Sequence, residues 1–163
     1  MKKFMITAVL FLFGIAAFAQ EETNGTIYIN HPYIEVVKNA VKDYTNKDFK
    51  NLRMLYADTA MYWQPGMEKF APMDDAIERW TNDQNYLTDI SMDMTGYPDY
   101  LHYKKDDVKV VQSWWTWSAK SKKSGEVIKV PIVMFDEFED NGKIVRQYIY
   151  GDFSKVSDPG NMD

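Results

Sequence analysis

The residue types that could carry chemistry in this 163-residue chain are few, and their spacing excludes the commoner reactions. There is no cysteine, and the two histidines, His31 and His102, lie far apart, whereas zinc needs clustered Cys or His ligands. The acidic run Asp136, Glu137, Glu139 and Asp140 suggests calcium. An EF-hand loop read from Glu137 through Gly142, however, places Tyr148 where the bidentate glutamate belongs, so the run reads as a charged hairpin end. A nucleophile elbow, a phosphate loop and a dinucleotide fingerprint are absent. No cofactor is therefore expected. Asp152, at the end of the last predicted strand, is the best acid for a catalytic role, and Asp58 reads as a turn cap. What remains is a set of amides and rings on predicted strands: Tyr62, Gln64, Gln112, Trp114 and Gln147, with Trp80 on a helix. Amides and rings can hold a neutral polar or weakly acidic ligand in an apolar setting, but an amide cannot take a proton.

The elements that must position these residues can be read from the pattern. The stretch Val108 to Asp152 reads as three consecutive long strands, with turn signals at Ser121 to Gly125 and at Asp140-Asn141-Gly142. Its first strand is apolar or aromatic on both faces, Val110 and Trp114 pointing one way and Val111, Trp115 and Trp117 the other, so it must be covered twice. Ahead of it, Asn30 to Pro32 offers a helix start. Ile34, Val37, Ala40, Val41 and Tyr44 then recur at helical spacing opposite Glu35, Lys38, Lys42 and Asp43. Asn46-Lys47-Asp48 breaks that helix, and Asp48 can cap a short second one with Phe49, Leu52 and Leu55 inward. A short strand is expected over Ala60 to Trp63, ended by Gln64-Pro65-Gly66, and a third helix from Pro72 to about Tyr86. A strand near Ile90 to Met94 and an aromatic loop from Tyr97 to Tyr103 complete the series. Helices first and antiparallel strands afterwards make this an α+β chain of one domain.

Residues Met1 to Gln20 read as an export signal: Lys2 and Lys3, an apolar stretch from Phe4 to Phe18, and a small-x-small site at Ala17-Phe18-Ala19. The expected organisation is a cleaved signal over 1–19, an extended lead over 20–30, the domain over 31–156 and a tail over 157–163. The product is expected to be periplasmic or extracellular, with no membrane association after cleavage. Without Lys2 and Lys3 the 19 basic side chains become 17 against 24 acidic ones, a net charge of −7, which argues against nucleic-acid or anionic-membrane surfaces. Lys120, Lys122 and Lys123 sit on a predicted hairpin tip and serve solvation. Asn24-Gly25-Thr26 matches a glycosylation sequon, a weak match behind a signal that looks bacterial.

The order helix, short helix, strand, helix and long meander resembles the nuclear transport factor 2-like superfamily, which includes ketosteroid isomerase and the SnoaL-like cyclases. Three stretches carry the likeness: Lys42 to Phe49, where one helix hands over to the next; Leu55-Tyr56-Ala57-Asp58-Thr59-Ala60, leading into the first strand; and Asn141-Gly142-Lys143-Ile144, opening the last. The resemblance implies a cone-shaped curved antiparallel sheet wrapped around about three N-terminal helices, enclosing a pocket. It also implies a homodimer through the outer sheet face, which would give the tryptophan strand its second cover. It carries the isomerase residues over poorly. The general-base aspartate maps onto Gln64, the tyrosine donor near Ala40, and the buried acid of the middle meander strand near Val133 or Met134.

If Gln64 faces the pocket, strand alternation brings Tyr62 with it, then Gln112, Trp114 and Thr116, then Val145, Gln147 and Ile149. A register one residue off would instead bring in Trp115, Trp117, Arg146, Tyr148 and Tyr150. Trp80 either fills the core or stacks on a ligand. The expected function is binding of a small, largely apolar molecule in an aromatic, glutamine-bearing pocket. Its rival is a cofactor-free lyase, isomerase or cyclase using Asp152 or a pocket tyrosine as acid or base. A purely structural role through the sheet face is the third reading.

Overall fold

A computed structural model describes residues 23–156. The expected signal (1–19), the first residues of the lead and the tail (157–163) lie outside the described residues. Strand β1 (Gly25–Tyr28) is followed by α1 (Pro32–Thr45), α2 (Phe49–Met54), β2 (Tyr56–Trp63), a two-residue β3 (Ala71–Pro72), α3 (Met73–Asp83), β4 (Leu87–Met94) and β5 (Asp99–Tyr103). A short 3-10 turn leads into the meander β6 (Lys109–Ser121), β7 (Val127–Phe138) and β8 (Ile144–Tyr150). The strands run β1-β5-β6-β7-β8-β2-β3, with β4 pairing the far half of β6 beyond β5. The result is an α+β cone, a curved sheet around three helices. Its sheet is mixed in one place: β2 and β8 pair in parallel, the other strand pairs being antiparallel.

Local chemistry accounts for the helix ends. The His31 Nδ1 accepts from the Tyr33 amide at 3.2 Å, and Pro32 fills a first-turn position where no N–H is needed. Asp48 caps α2 by accepting from Asn51. Ile34, Val37, Ala40 and Val41 form the buried stripe of α1, and Leu52 is the fully buried anchor of α2. Each large apolar chain so buried contributes about 1.5–3 kcal/mol relative to exposure.

Four expectations change. The first core strand begins at Tyr56, four residues before Ala60, because it is zipped along β8 from Tyr56↔Ile144 onward. The stretch expected as an aromatic loop contains β5, held between β1 and β6 through pairs such as Ile27↔Leu101 and Leu101↔Val110. The third helix starts at Met73 and stops at Asp83. Finally, the facing of β6 is reversed: Val111, Ser113, Trp115, Trp117 and Ala119 are buried on the helix side, while Gln112, Trp114 and Thr116 lie on the outer face. Cross-strand pairing explains the choice. Trp115 sits opposite Ile132 and Trp117 opposite Val130, both on the apolar side of β7, and the Trp115 indole donates to Ser113 Oγ at 2.8 Å, which satisfies that buried hydroxyl. On the outer face Trp114 is covered in part by the chain itself, for a Cβ placed on Gly96 would lie 3.4 Å from its ring.

Candidate functional site

A cavity of about 210 Å³ lies between the helices and the inner face of the sheet. Helix α1 contributes Ala40, Val41 and Tyr44 at the three- and four-residue spacing of one helix face, and α2 adds Leu52. Alternation on the meander brings in Trp117, then Ile132 and Met134, then Gln147 and Ile149. The chain beyond β8 closes the wall with Phe153 and Val156. Gly151 permits that closure: a side chain there would meet Ile132 Cγ2 at 2.7 Å. The remaining wall comes from Gln64, just past β2, from Arg79, Trp80 and Asp83 on α3, and from Met92 on β4.

Two polar groups interrupt this apolar lining. The first is Tyr56 with Gln147, backed by Asp136. Gln147 Nε2 donates to the Tyr56 hydroxyl at 2.9 Å and to Asp136 Oδ1 at 2.7 Å, all three residues being buried. A bulge aims Tyr56, since β2 spends the five steps from Tyr56 to Met61 where β8 spends only Ile144 to Arg146. Burial raises the Asp136 carboxyl to about 7, against the lowering effect of the Gln147 hydrogen bond. Burial, reinforced by the Asp136 charge, also pushes the Tyr56 phenol well above its ordinary range. Asp136 Oδ2 and Gln147 Oε1 have no hydrogen-bond partner among the described residues. Asp136 does not reach the wall; Gln147 and Tyr56 stand there instead.

The second group is Arg79, Gln64 and Asp83, all half-buried. Arg79 Nη2 donates to Gln64 Oε1 at 3.0 Å, and its guanidinium stands 5.2 Å from the centre of the Tyr62 ring, within cation–π range. Burial raises the Asp83 carboxyl, with Arg79 acting in the opposite direction. Nearby, the Trp117 indole donates to the Tyr44 hydroxyl at 2.9 Å. Burial raises the Tyr44 phenol to about 12, the Trp117 hydrogen bond opposing.

Of the residues singled out in the sequence, Gln64, Trp80 and Gln147 line the cavity. Tyr62 is buried behind the wall, beneath Arg79. Gln112 and Trp114 lie on the opposite face of the sheet, a consequence of the reversed facing of β6. Asp152 is exposed and outside the cavity; hydrogen bonds with Ser154, first through its side chain and then through its amide, hold the carboxyl below its usual range. The alternative acid, Asp136, was hidden within the acidic run. It lies two residues beyond Met134, on the same face of β7, and the period of two along that strand was the available signal. Met134 and Ala40 do occupy cavity positions and carry no proton. Arg79 and Asp83 carried no sequence signal beyond their place on an amphipathic helix. Among the described residues there is no cluster of three metal-ligating side chains, and no helix is long and apolar enough to cross a membrane.

No protein-family model matches the sequence, and no curated protein matches it. Similarity to solved structures is extensive at low identity. One is IdmH from Streptomyces antibioticus, a presumed polyketide cyclase, at 15% identity with a TM-score of 0.59, covering 77% of this chain and 96% of that one. Another is a hypothetical protein with a ketosteroid isomerase-like fold from Catenulispora acidiphila, in complex with trimethylamine, at 13% identity and TM-score 0.60, covering 82% and 96%. A third is an NTF2-like protein of unknown function from an Exiguobacterium species, at 18% identity and TM-score 0.57, covering 72% and 98%. The chain therefore has the nuclear transport factor 2-like fold shared by SnoaL-like and ketosteroid isomerase-like proteins.

Proposed function

We propose that this chain binds a small, largely apolar molecule in the cavity between α1, α3 and the meander, and that it does so as an exported protein, periplasmic or extracellular. The observation that carries the reading is the wall itself: aliphatic and aromatic side chains enclose a space interrupted at only two places by polar groups. Such a lining gives affinity through apolar burial and orientation through a few fixed donors and acceptors. The volume, about 210 Å³, exceeds the roughly 150 Å³ of an engineered cavity that takes benzene and falls short of the roughly 300 Å³ where drug-sized sites begin. A one-ring ligand with a short chain fits that window. Trp80 and Trp117 stand in the wall, so binding reads out in tryptophan fluorescence. Titration with 3-phenylpropan-1-ol should quench saturably, and Ala40→Trp, which fills the space, should abolish the saturable part. A linear response, the same in both proteins, would overturn the reading.

A second reading, a cofactor-free lyase, isomerase or cyclase, is favoured by one observation, the buried Asp136 carboxyl raised to about 7. In that range an acid gives and takes protons readily. Tyr56 is the tyrosine that would touch the ligand, with Asp136 acting from behind Gln147. This reading ranks second because the carboxyl is set back from the wall. Exchange of the α-protons of 4-phenylbutan-2-one in heavy water, lost in Asp136→Asn, would place it first; no exchange above the buffer rate would remove it.

A homodimer through the outer sheet face is part of the proposal. Support comes from the rings gathered there: Trp63 beside Tyr150 at 5.4 Å, Phe135 beside Tyr150 at 5.9 Å and Phe70 beside Tyr148 at 5.3 Å. Sedimentation of wild type against Tyr150→Glu tests it, with a dimer expected to become monomeric.

A further inference from the structure

The three arginines of the chain are employed differently. Arg53 is paired with Asp74 at 2.5 Å and also donates to three backbone carbonyls. Arg146 is paired with Glu137 at 2.7 Å. Arg79 has no carboxylate within ion-pair distance among the described residues. Its one hydrogen bond goes to a neutral amide oxygen, and it rests against the face of Tyr62. This is also the arginine that lines the cavity.

A guanidinium carries five donors in a fixed fork that matches a carboxylate, and leaving it half-buried beside a single neutral acceptor is costly unless something else uses the fork. The Gln64 amide and the Tyr62 ring hold it from two sides and fix its plane, while Asp83, one helical turn on, acts on it electrostatically without forming an ion pair. Apart from Asp83 and the Tyr44 hydroxyl the rest of the wall is apolar, and the other polar group presents a phenol and an amide with no cation. A ligand that uses every part of the wall therefore has one negative end, one apolar ring-sized body and no need of a second charge.

We infer that the ligand is an apolar monocarboxylate of about one ring, its carboxylate held by Arg79 and its body lying among Trp80, Trp117, Met134 and Ile149. This rests on the proposed binding role and narrows it to an anion of defined size. Asp83, one helical turn beyond Arg79, sets a limit on the charge the site accepts. Its carboxyl faces the same space, so a dianion is disfavoured and a single carboxylate is the natural guest.

The test compares 3-phenylpropanoate with 3-phenylpropan-1-ol, a pair that differs only in the charged end, by tryptophan fluorescence at neutral pH. The carboxylate is expected to bind at least about tenfold more tightly. Arg79→Gln should erase the difference by weakening the carboxylate far more than the alcohol, and Arg79→Lys, which keeps the charge and loses the fork, should restore part of it. Thermal unfolding of both variants separates lost recognition from lost folding. Equal affinity for the two probes in wild type, or a carboxylate preference that survives in Arg79→Gln, would overturn the inference and leave the binding role standing. Saturable binding of neither probe would overturn both.

Discussion

The two polar groups of the cavity wall solve opposite electrostatic problems. Around Asp136 every group is buried, and the carboxyl is raised until it is neutral over much of the acidic range. Around Arg79 the groups are half-buried, and a full positive charge is kept, held by an amide and a ring. The difference shows how burial decides what a polar residue can contribute. The deep group offers neutral hydrogen bonding, and the shallow group offers charge. A ligand that spans both meets a gradient of polarity along its length.

The comparison breaks most visibly at Asp136. Its folded value lies above the unfolded one, so the unfolded chain releases this proton first, and stability falls as pH rises from about 4 to about 7. At higher pH the full cost is present, on the order of 4 kcal/mol from a displacement of about three pH units. Asp136→Asn should remove that slope. Urea unfolding at pH 4.5 and 8.5 checks it: the variant is expected to gain up to about 4 kcal/mol on wild type at the higher pH and much less at the lower. Parallel behaviour at both values would show that the deep group is not held neutral.

Gln147→Leu probes the same group from the other side. It removes the donors to Asp136 and Tyr56, with an expected loss of about 1–3 kcal/mol, the usual cost of a buried polar group left without its partner. Because that hydrogen bond lowers the carboxyl, its loss should also move the alkaline limb of the stability profile to higher pH. A profile that kept its position would uncouple the two residues.

At the shallow group the stability effects should be smaller. Arg79→Gln is expected to cost no more than about 1 kcal/mol, since only one hydrogen bond and one ring contact are lost. Its signature belongs in ligand discrimination. Smallest of all, Asp83→Asn should slightly flatten the fall of stability with rising pH, because burial raises this carboxyl too while Arg79 and solvent offset it. A loss of stability larger than that of Gln147→Leu would reverse the order of the two groups.

How much of this was legible in the sequence depended on how many faces of an element are polar. The buried stripe of α1 alternates with Glu35, Lys38 and Lys42 and leaves little choice, and the Asp48 cap is local chemistry. Gly125 and Gly142 adopt positive φ at the two predicted turns, so the meander's connections were legible as well. On β6 both faces carry large apolar side chains, so alternation alone cannot say which turns inward. The decision came from β7, where Ile128, Val130, Ile132 and Met134 alternate with Lys129 and Pro131, together with a pairing register that exists only between strands. Asp136 continues that same inward series, and its acidic neighbours disguised it. Strand β5 depends on β1 and β6, partners remote from it in the chain on one side, and no local signal announces such a pairing.

The parallel pairing of β2 with β8 has a consequence for the order of assembly. Tyr56 and Gln147 are 91 residues apart, and they meet only when the final strand docks beside the second. Closing so long a loop is entropically costly and comes late in folding. During synthesis the deep group is complete only once β8 has been made, whereas the residues of the shallow group, 62 to 83, are all made before the meander begins. A bound guest would then act as a latch on the last step, slowing the departure of β8 and lengthening the lifetime of the native state by mass action.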